Sequence, residues 1–114
     1  MATRYTFFMH LNATRHWLSL SREERRAFFS DSLAGIFARY PRVSVRFYDV
    51  EAFSGQCSDI AVFETASLRD YRFLIDALRD SEIYTRPFFE VVGLFPAVED
   101  GFVEYEGELQ RGRT

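Results

Sequence analysis

Two hydrophobic periods alternate along this chain, and their order constrains its fold more than any other feature. In residues 5–12 apolar side chains occupy every odd position, whereas the even positions are polar except for Phe8. A period of two predicts a β-strand with one buried face and one face of different character. A helical period follows, because Ser21 and Glu24 form an S-x-x-E capping box that satisfies free N–H groups at a helix start.

The first helix is predicted to carry one apolar stripe and to end before Pro41, which cannot continue a helix. The stripe consists of Phe29, Leu33, Ile36, Phe37 and Tyr40. Residues 43–50 alternate again and predict a second strand, and residues 60–63 are a nearly continuous apolar run typical of an interior strand. The turn between them contains Gly55, so we expect these two strands to form a hairpin.

A second helix is predicted from Ser67, with Asp70 three residues later and an apolar stripe behind it. The stripe consists of Leu68, Tyr71, Leu74, Ile75 and Leu78. A fourth strand is expected at residues 88–95. The turn signal at residues 99–101 then predicts a short fifth strand at residues 102–106.

The order strand, helix, strand, strand, helix, strand is that of the ferredoxin-like α+β fold, an antiparallel sheet with both helices on one face. Here a short C-terminal strand is added. Residues 1–114 are expected to form a single domain of this kind, since their length suffices for one core. Two helices shield only one face of the sheet, so we expect a homodimer through the helix-free face, with two sheets forming a dimeric α+β barrel.

Composition and sequence patterns argue against nucleic-acid binding, a membrane-spanning helix and secretion. The net charge is −3, and the 14 basic residues, all arginines, are scattered among acidic ones, so nucleic acid is not an expected partner. No apolar stretch approaches the roughly 20 residues of a membrane helix. Cys57 is the only cysteine and the N-terminus lacks the pattern of a signal peptide, which favours a cytoplasmic protein.

Four residues on the helix-free face are candidates for ligand binding: His10, Asn12, Arg46 and Tyr48. Arg46 could clamp a carboxylate and Tyr48 could donate a phenolic hydrogen bond. The alternative for Arg46 is an ion pair with Glu90 or Glu64. His10 could transfer a proton or ligate a metal, or it could simply be hydrogen-bonded at a sheet interface.

No cofactor and no catalytic metal are expected. His10 and His16 are six positions apart, one in a strand and one in a loop, and Cys57 starts a different strand without a nearby ligand motif. A catalytic zinc needs three converging protein ligands, and haem iron needs an axial ligand in a pocket. We therefore expect neither haem nor metal, and no catalytic residue can be assigned.

The first thirty residues resemble one family. Tyr5-Thr-Phe-Phe-Met-His-Leu-Asn-Ala-Thr14, followed by Trp17-Leu-Ser-Leu-Ser-Arg-Glu-Glu-Arg-Arg-Ala-Phe28, is similar to the darcynin family of small proteins. The resemblance implies a ferredoxin-like, dimeric α+β barrel type of fold. It implies no catalytic residue, because the family lacks an assigned biochemical activity.

Three functions remain open at this point. The first is a small-molecule-binding dimer, which a concave apolar face with a few polar groups would support. The second is a cofactor-free oxygenase or isomerase with His10 as base, by analogy of fold. The third is a structural or interaction dimer. The sequence does not decide whether the protein is an enzyme.

Overall fold

The computed structural model describes residues 3–112 of the chain. The elements in chain order are β1 (Tyr5–Ala13), α1 (Arg15–Leu18), α2 (Arg22–Phe28), a π-helical turn (Phe29–Leu33), α3 (Ala34–Ala38), β2 (Ser44–Asp49), β3 (Asp59–Thr65), α4 (Leu68–Arg79), α5 (Glu82–Thr85), β4 (Phe89–Ala97) and α6 (Gly101–Arg111). Four strands form one sheet in the order β2-β3-β1-β4, and every neighbouring pair is antiparallel. The predicted ferredoxin-like fold and the hairpin of β2 and β3 are therefore confirmed.

The hydrophobic core lies between this sheet and the helices on one of its faces. The odd positions of β1 provide Phe7 and Met9, and α4 provides Leu74 and Leu78, all of which are buried. The predicted helix starts are also confirmed. The Ser21 hydroxyl accepts from the Glu24 backbone N–H while Glu24 accepts from the Ser21 backbone, and the Ser67 hydroxyl caps α4.

The first predicted helix is interrupted by a π turn, and this changes which phenylalanine is buried. The stripe predicted from the sequence began at Phe29, but Phe29 is 44% exposed whereas Phe28 is in the core. The Ala34 backbone N–H donates to Phe29 O, five residues back, so one turn contains an extra residue. That extra residue rotates the preceding turn and places Phe28 and Leu33, five positions apart, on the same buried side.

The predicted fifth strand at residues 102–106 is wrong, because these residues lie in the helix α6, which begins at Gly101. The turn after β4 has one left-handed residue, Asp100, with φ 44° and ψ 49°. A two-residue type I′ hairpin needs positive φ at both central residues, and Gly101 does not have it. The segment also contains Glu, Leu, Gln and Arg, which favour helix, and Glu108 pairs with Arg111 one turn later.

Helix α6 extends away from the sheet. None of its residues is buried, and within residues 3–112 it makes no substantial packing contact with another helix or strand. The radius of gyration is 17.1 Å, compared with about 13 Å for a compact domain of this length. Within residues 3–112 no helix combines the length and hydrophobicity needed to cross a bilayer.

Candidate functional site

The helix-free face of the sheet, called the open face below, carries the even positions of β1 and the residues paired with them. Strand register aligns Phe8 with Val62 on β3 and Phe95 on β4, and aligns Val62 with Arg46 on β2. The neighbouring rows of the open face contain Thr6, His10, Tyr48, Ile60 and Glu64. Phe8, Tyr48 and Phe95 are exposed, so a broad aromatic surface faces away from the core.

A groove of about 710 Å³ crosses the open face. Its floor is apolar and includes Phe8, Ile60 and Val62, and Arg46 and Tyr48 line it from the edge strand β2. Residues 97–99, at the end of β4, line it as well. The twist of an antiparallel sheet lifts its two edge strands relative to the middle, which gives such a face its concavity. The groove therefore combines an apolar floor with a polar wall.

The polar wall contains an ion pair between β2 and β3. Arg46 Nη2 donates to Glu64 Oε1 at 2.6 Å, and Glu64 also lines the groove. The hydrogen bond to Glu64, followed by the influence of the neighbouring Tyr48, raises the pKa of the Arg46 guanidinium above its already high value. The structure thus forms the Arg46–Glu64 ion pair, which was one of the alternatives predicted for Arg46. The guanidinium retains further N–H donors for a ligand, since it has five in all.

His10 lies on the open face but outside the lining of the groove. Its ring packs against Phe95, with centroids 5.1 Å apart and planes tilted by 51°, and it lies opposite Gly93 on β4. Register also places His10 and Tyr48 on either side of Ile60 in one cross-strand row. Two strand spacings separate them by about 10 Å.

Asn12 has a local structural contact at the far end of β1. Its Oδ1 accepts from the Ser58 backbone N–H at 3.0 Å, and the Ser58 hydroxyl accepts from the Ala13 backbone N–H at 2.8 Å. These bonds hold the start of β3 against the end of β1. Of the four predicted ligand-binding residues, the structure therefore brings Arg46 and Tyr48 together in the groove and leaves His10 and Asn12 outside it.

Trp17, His16 and Cys57 lie away from the groove. The Trp17 ring packs on the helix side against Phe88 and Phe89, at centroid distances of 5.3 and 5.0 Å. His16 lines a separate cleft of about 360 Å³ on that side, and Cys57 is a buried free thiol. Among residues 3–112 no group of three or more His, Cys, Asp or Glu side chains is arranged to hold a metal ion.

Part of the groove lining was not predicted from the sequence. The apolar run of β3 hid a second alternation, in which Ile60, Val62 and Glu64 share the open face while Ala61 and Phe63 are buried. This period of two was available in the sequence. Residues 97–99 carried no comparable signal, because only the sheet order and its curvature bring them to the groove.

The sheet order, the one-sided helices and the open face define a ferredoxin-like α+β domain, the fold that dimeric α+β barrels share. A mutant chlorite dismutase from Candidatus Nitrospira defluvii superposes with a TM-score of 0.71 at 16% identity, over 86% of this chain and 40% of that one. A dimeric chlorite dismutase from Nitrobacter winogradskyi superposes with a TM-score of 0.66 at 22% identity, over 85% and 56%. The chain thus spans about half the length of these proteins or less, and the likeness is one of fold.

The family follows from sequence. Residues 1–111 match the family described as Darcynin, domain of unknown function. Darcynin 1 of Acinetobacter baumannii is 61% identical over 89 residues, which cover 78% of this chain and 99% of that protein. A darcynin homolog of Streptomyces avermitilis is 40% identical over 103 residues, 90% of this chain and 84% of the homolog. The chain belongs to the darcynin family, whose biochemical function is unassigned.

Proposed function

We propose that this protein is a small-molecule-binding homodimer in which the open face supplies both the ligand site and the interface. The observation that carries the proposal is the groove of about 710 Å³, with its apolar floor and the Arg46–Glu64 pair on its wall. A site that is mostly apolar with a few convergent polar groups is typical of small-molecule binding. In this proposal residues 1–114 act as one domain.

Dimerisation is proposed because the groove is open to solvent in one copy. A second copy packed against the open face would cover Phe8, Tyr48 and Phe95 and turn two grooves into an enclosed space. Isologous association of this kind is the commonest way for a soluble protein to bury a self-complementary surface. The name of the Nitrobacter winogradskyi protein, which has the same fold, describes it as dimeric, and this supports the same arrangement here.

The proposed ligand is a compact, largely apolar molecule with one carboxylate or similar anionic group. The anion would bind the free N–H donors of Arg46, with the Tyr48 hydroxyl as second donor, and it would compete with Glu64. The apolar part would lie over Ile60 and Val62. His10 lies in the same cross-strand row as Tyr48, so it would contact the end of the ligand that extends along this row. Asn12 would contribute its amide N–H₂ at the rim of the groove.

A cytoplasmic location is part of the proposal. Cys57 is buried and unpaired, and free thiols persist in reducing compartments.

Native mass spectrometry of the purified protein, followed by denaturing analysis of released small molecules, tests the proposal. We expect a dimer mass with a bound small molecule that is lost in Arg46→Met. Arg42→Met is the matched control, because Arg42 is an exposed arginine paired with Asp70 at 3.6 Å outside the groove. A dimer without a small molecule and without an internal cavity would instead select a structural role. Turnover of a bound compound that His10→Ala abolishes would select the enzyme.

A further inference from the structure

Helix α6 has its apolar side turned away from its own chain. Phe102, Tyr105 and Leu109 are spaced i, i+3 and i+7, so they form one stripe, called the arm stripe below. Their exposed fractions are 59%, 65% and 46%. Exposed aromatic side chains in a continuous stripe mark an interaction surface more often than scattered single ones do.

The opposite flank of α6 faces the start of β1. Thr3 Oγ1 donates to the Glu104 carboxylate at 3.2 Å, and a cleft of about 560 Å³ lies between this flank and Arg4. Val103, Glu104 and Gly107 line the cleft, whereas the arm stripe does not. The helix could cover its own stripe only by rotating about its axis and breaking the Thr3–Glu104 contact.

We propose that α6 is a dimerisation arm whose stripe, Phe102, Tyr105 and Leu109, packs on a second copy of this chain. The inference rests on the proposed function in one respect, since it needs the homodimer. It adds a second, separate part of the interface. The arm follows β4 directly, and residues 97–99 line the groove of the open face, so the arm begins at the border of the surface that the second copy is proposed to cover.

The length of α6 and the area of the arm stripe fit a second copy of this chain as the partner. An eleven-residue helix is about 16 Å long, and the chain measures 62 Å along its longest axis but 19 Å along its shortest. The two aromatic rings of one arm offer about 250 Å² of exposed surface. Two arms and the surfaces they cover would bury about 1,000 Å², which with the open face reaches the range of stable protein interfaces.

The charge of the arm argues against a lipid surface. Helix α6 carries Glu104, Glu106 and Glu108 against one arginine, Arg111. Helices that lie on membranes are rich in Lys and Arg on the polar face, because they bind anionic headgroups. A protein surface is therefore a better partner for α6 than a membrane. In a second copy of this chain, arginines are the basic side chains available to the glutamates of α6.

The test uses the full chain with a triple alanine variant and a single alanine substitution as control. Phe102→Ala, Tyr105→Ala and Leu109→Ala together remove the arm stripe while raising intrinsic helix propensity. Val103→Ala is the control, since Val103 is equally exposed but lies on the opposite flank. By sedimentation equilibrium we expect the dimer dissociation constant to rise at least about tenfold in the triple variant, and to stay near the wild-type value in Val103→Ala.

Hydrogen exchange supplies an independent readout. An isolated helix of this length is marginal in water, so its amides exchange quickly unless the helix is packed. We expect protection of residues 101–111 to increase with protein concentration across the dimerisation range. Protection that is strong and independent of concentration would mean that α6 packs on its own chain, and it would overturn the inference.

A substitution on the open face separates this inference from the proposed function. If Phe8→Asp gives a folded monomer while the triple variant dimerises as tightly as wild type, the arm has no role and the open-face dimer stands. If the triple variant dissociates and Phe8→Asp does not, the arm is supported and the open face is not the interface. A wild-type monomer with unprotected residues 101–111 would overturn both.

Discussion

The rings of Phe7 on β1 and Tyr71 on α4 stack face to face, with centroids 3.8 Å apart and planes within 5° of parallel. Tyr71 also meets Phe63 edge-on at 5.7 Å. Burial raises the pKa of the Tyr71 hydroxyl above its ordinary value of 10.0. This pair joins β1, one of the two central strands of the sheet, to α4, so it holds together the layer that supports the open face from behind.

Replacement of Tyr71 by alanine is expected to destabilise the protein by about 2 to 4 kcal/mol, because it leaves a cavity between sheet and helix. Tyr71→Phe keeps the stacked ring and should cost less than about 1 kcal/mol. Urea unfolding followed by circular dichroism measures both changes. Equal costs for the two variants would show that the hydroxyl, and not the ring, makes the important contact.

Trp17→Ala should cost a similar amount, about 2 to 4 kcal/mol. The half-buried indole contacts Phe28, Phe88 and Phe89, and Arg25 lies 5.9 Å above its ring. Leu18→Ala is the matched control one residue later, since Leu18 is 58% exposed and its loss should stay within about 0.5 kcal/mol. If both variants unfold at the urea concentration of wild type, the aromatic cluster does not anchor α1.

Asp59 is expected to make stability depend on pH. Burial raises its pKa above 3.8, the Ser58 hydrogen bond opposes that rise, and Asp49, directly opposite on β2, raises the pKa further. The folded protein therefore binds the Asp59 proton more tightly than the unfolded chain. The unfolding free energy should accordingly fall as pH rises from the ordinary value through the raised one.

Asp59→Asn should remove this dependence. We expect the variant to be more stable than wild type at pH 7 by about 0.2 to 1 kcal/mol, the size of a cross-strand charge effect. The two proteins should converge near pH 3, where wild-type Asp59 is protonated. Asp76→Asn, at an exposed site on α4, serves as control. A variant less stable than wild type at pH 7 would mean that the Ser58–Asp59 bond outweighs the repulsion by Asp49.

Glu64→Gln should strengthen anion binding in the groove. The substitution removes the charge that neutralises Arg46, so an apolar aromatic sulfonate such as ANS should bind several-fold more tightly, whereas Arg46→Met should bind it more weakly. Stability should change by less than about 1 kcal/mol, because the pair is partly exposed. Fluorescence titration at low salt measures the affinities. Identical affinities in both variants would place the sulfonate elsewhere.

The sequence alone determined the four strands, the starts of α2 and α4 and the two faces of β1. Ser21, Glu24 and Ser67 set helix starts through bonds to neighbours within four residues, so their effect needs no tertiary context. Alternation in β1 separated Phe7 and Met9 from Phe8 and His10 correctly. The order of these elements was sufficient for the fold, since few topologies accept two helices and four antiparallel strands.

Only the three-dimensional structure showed the C-terminal helix α6, the burial of Phe28 instead of Phe29, and the groove. Residues 102–106 are too few to distinguish a strand from a helix by period. No type I′ turn forms at residues 100–101, and the chain continues from Asp100 into α6. Phe28 instead of Phe29 entered the core because the π turn added a residue that no spacing rule includes. The groove forms because a twisted sheet brings residues 97–99 of one edge and Arg46 of the other around a common floor, and that curvature depends on the whole sheet.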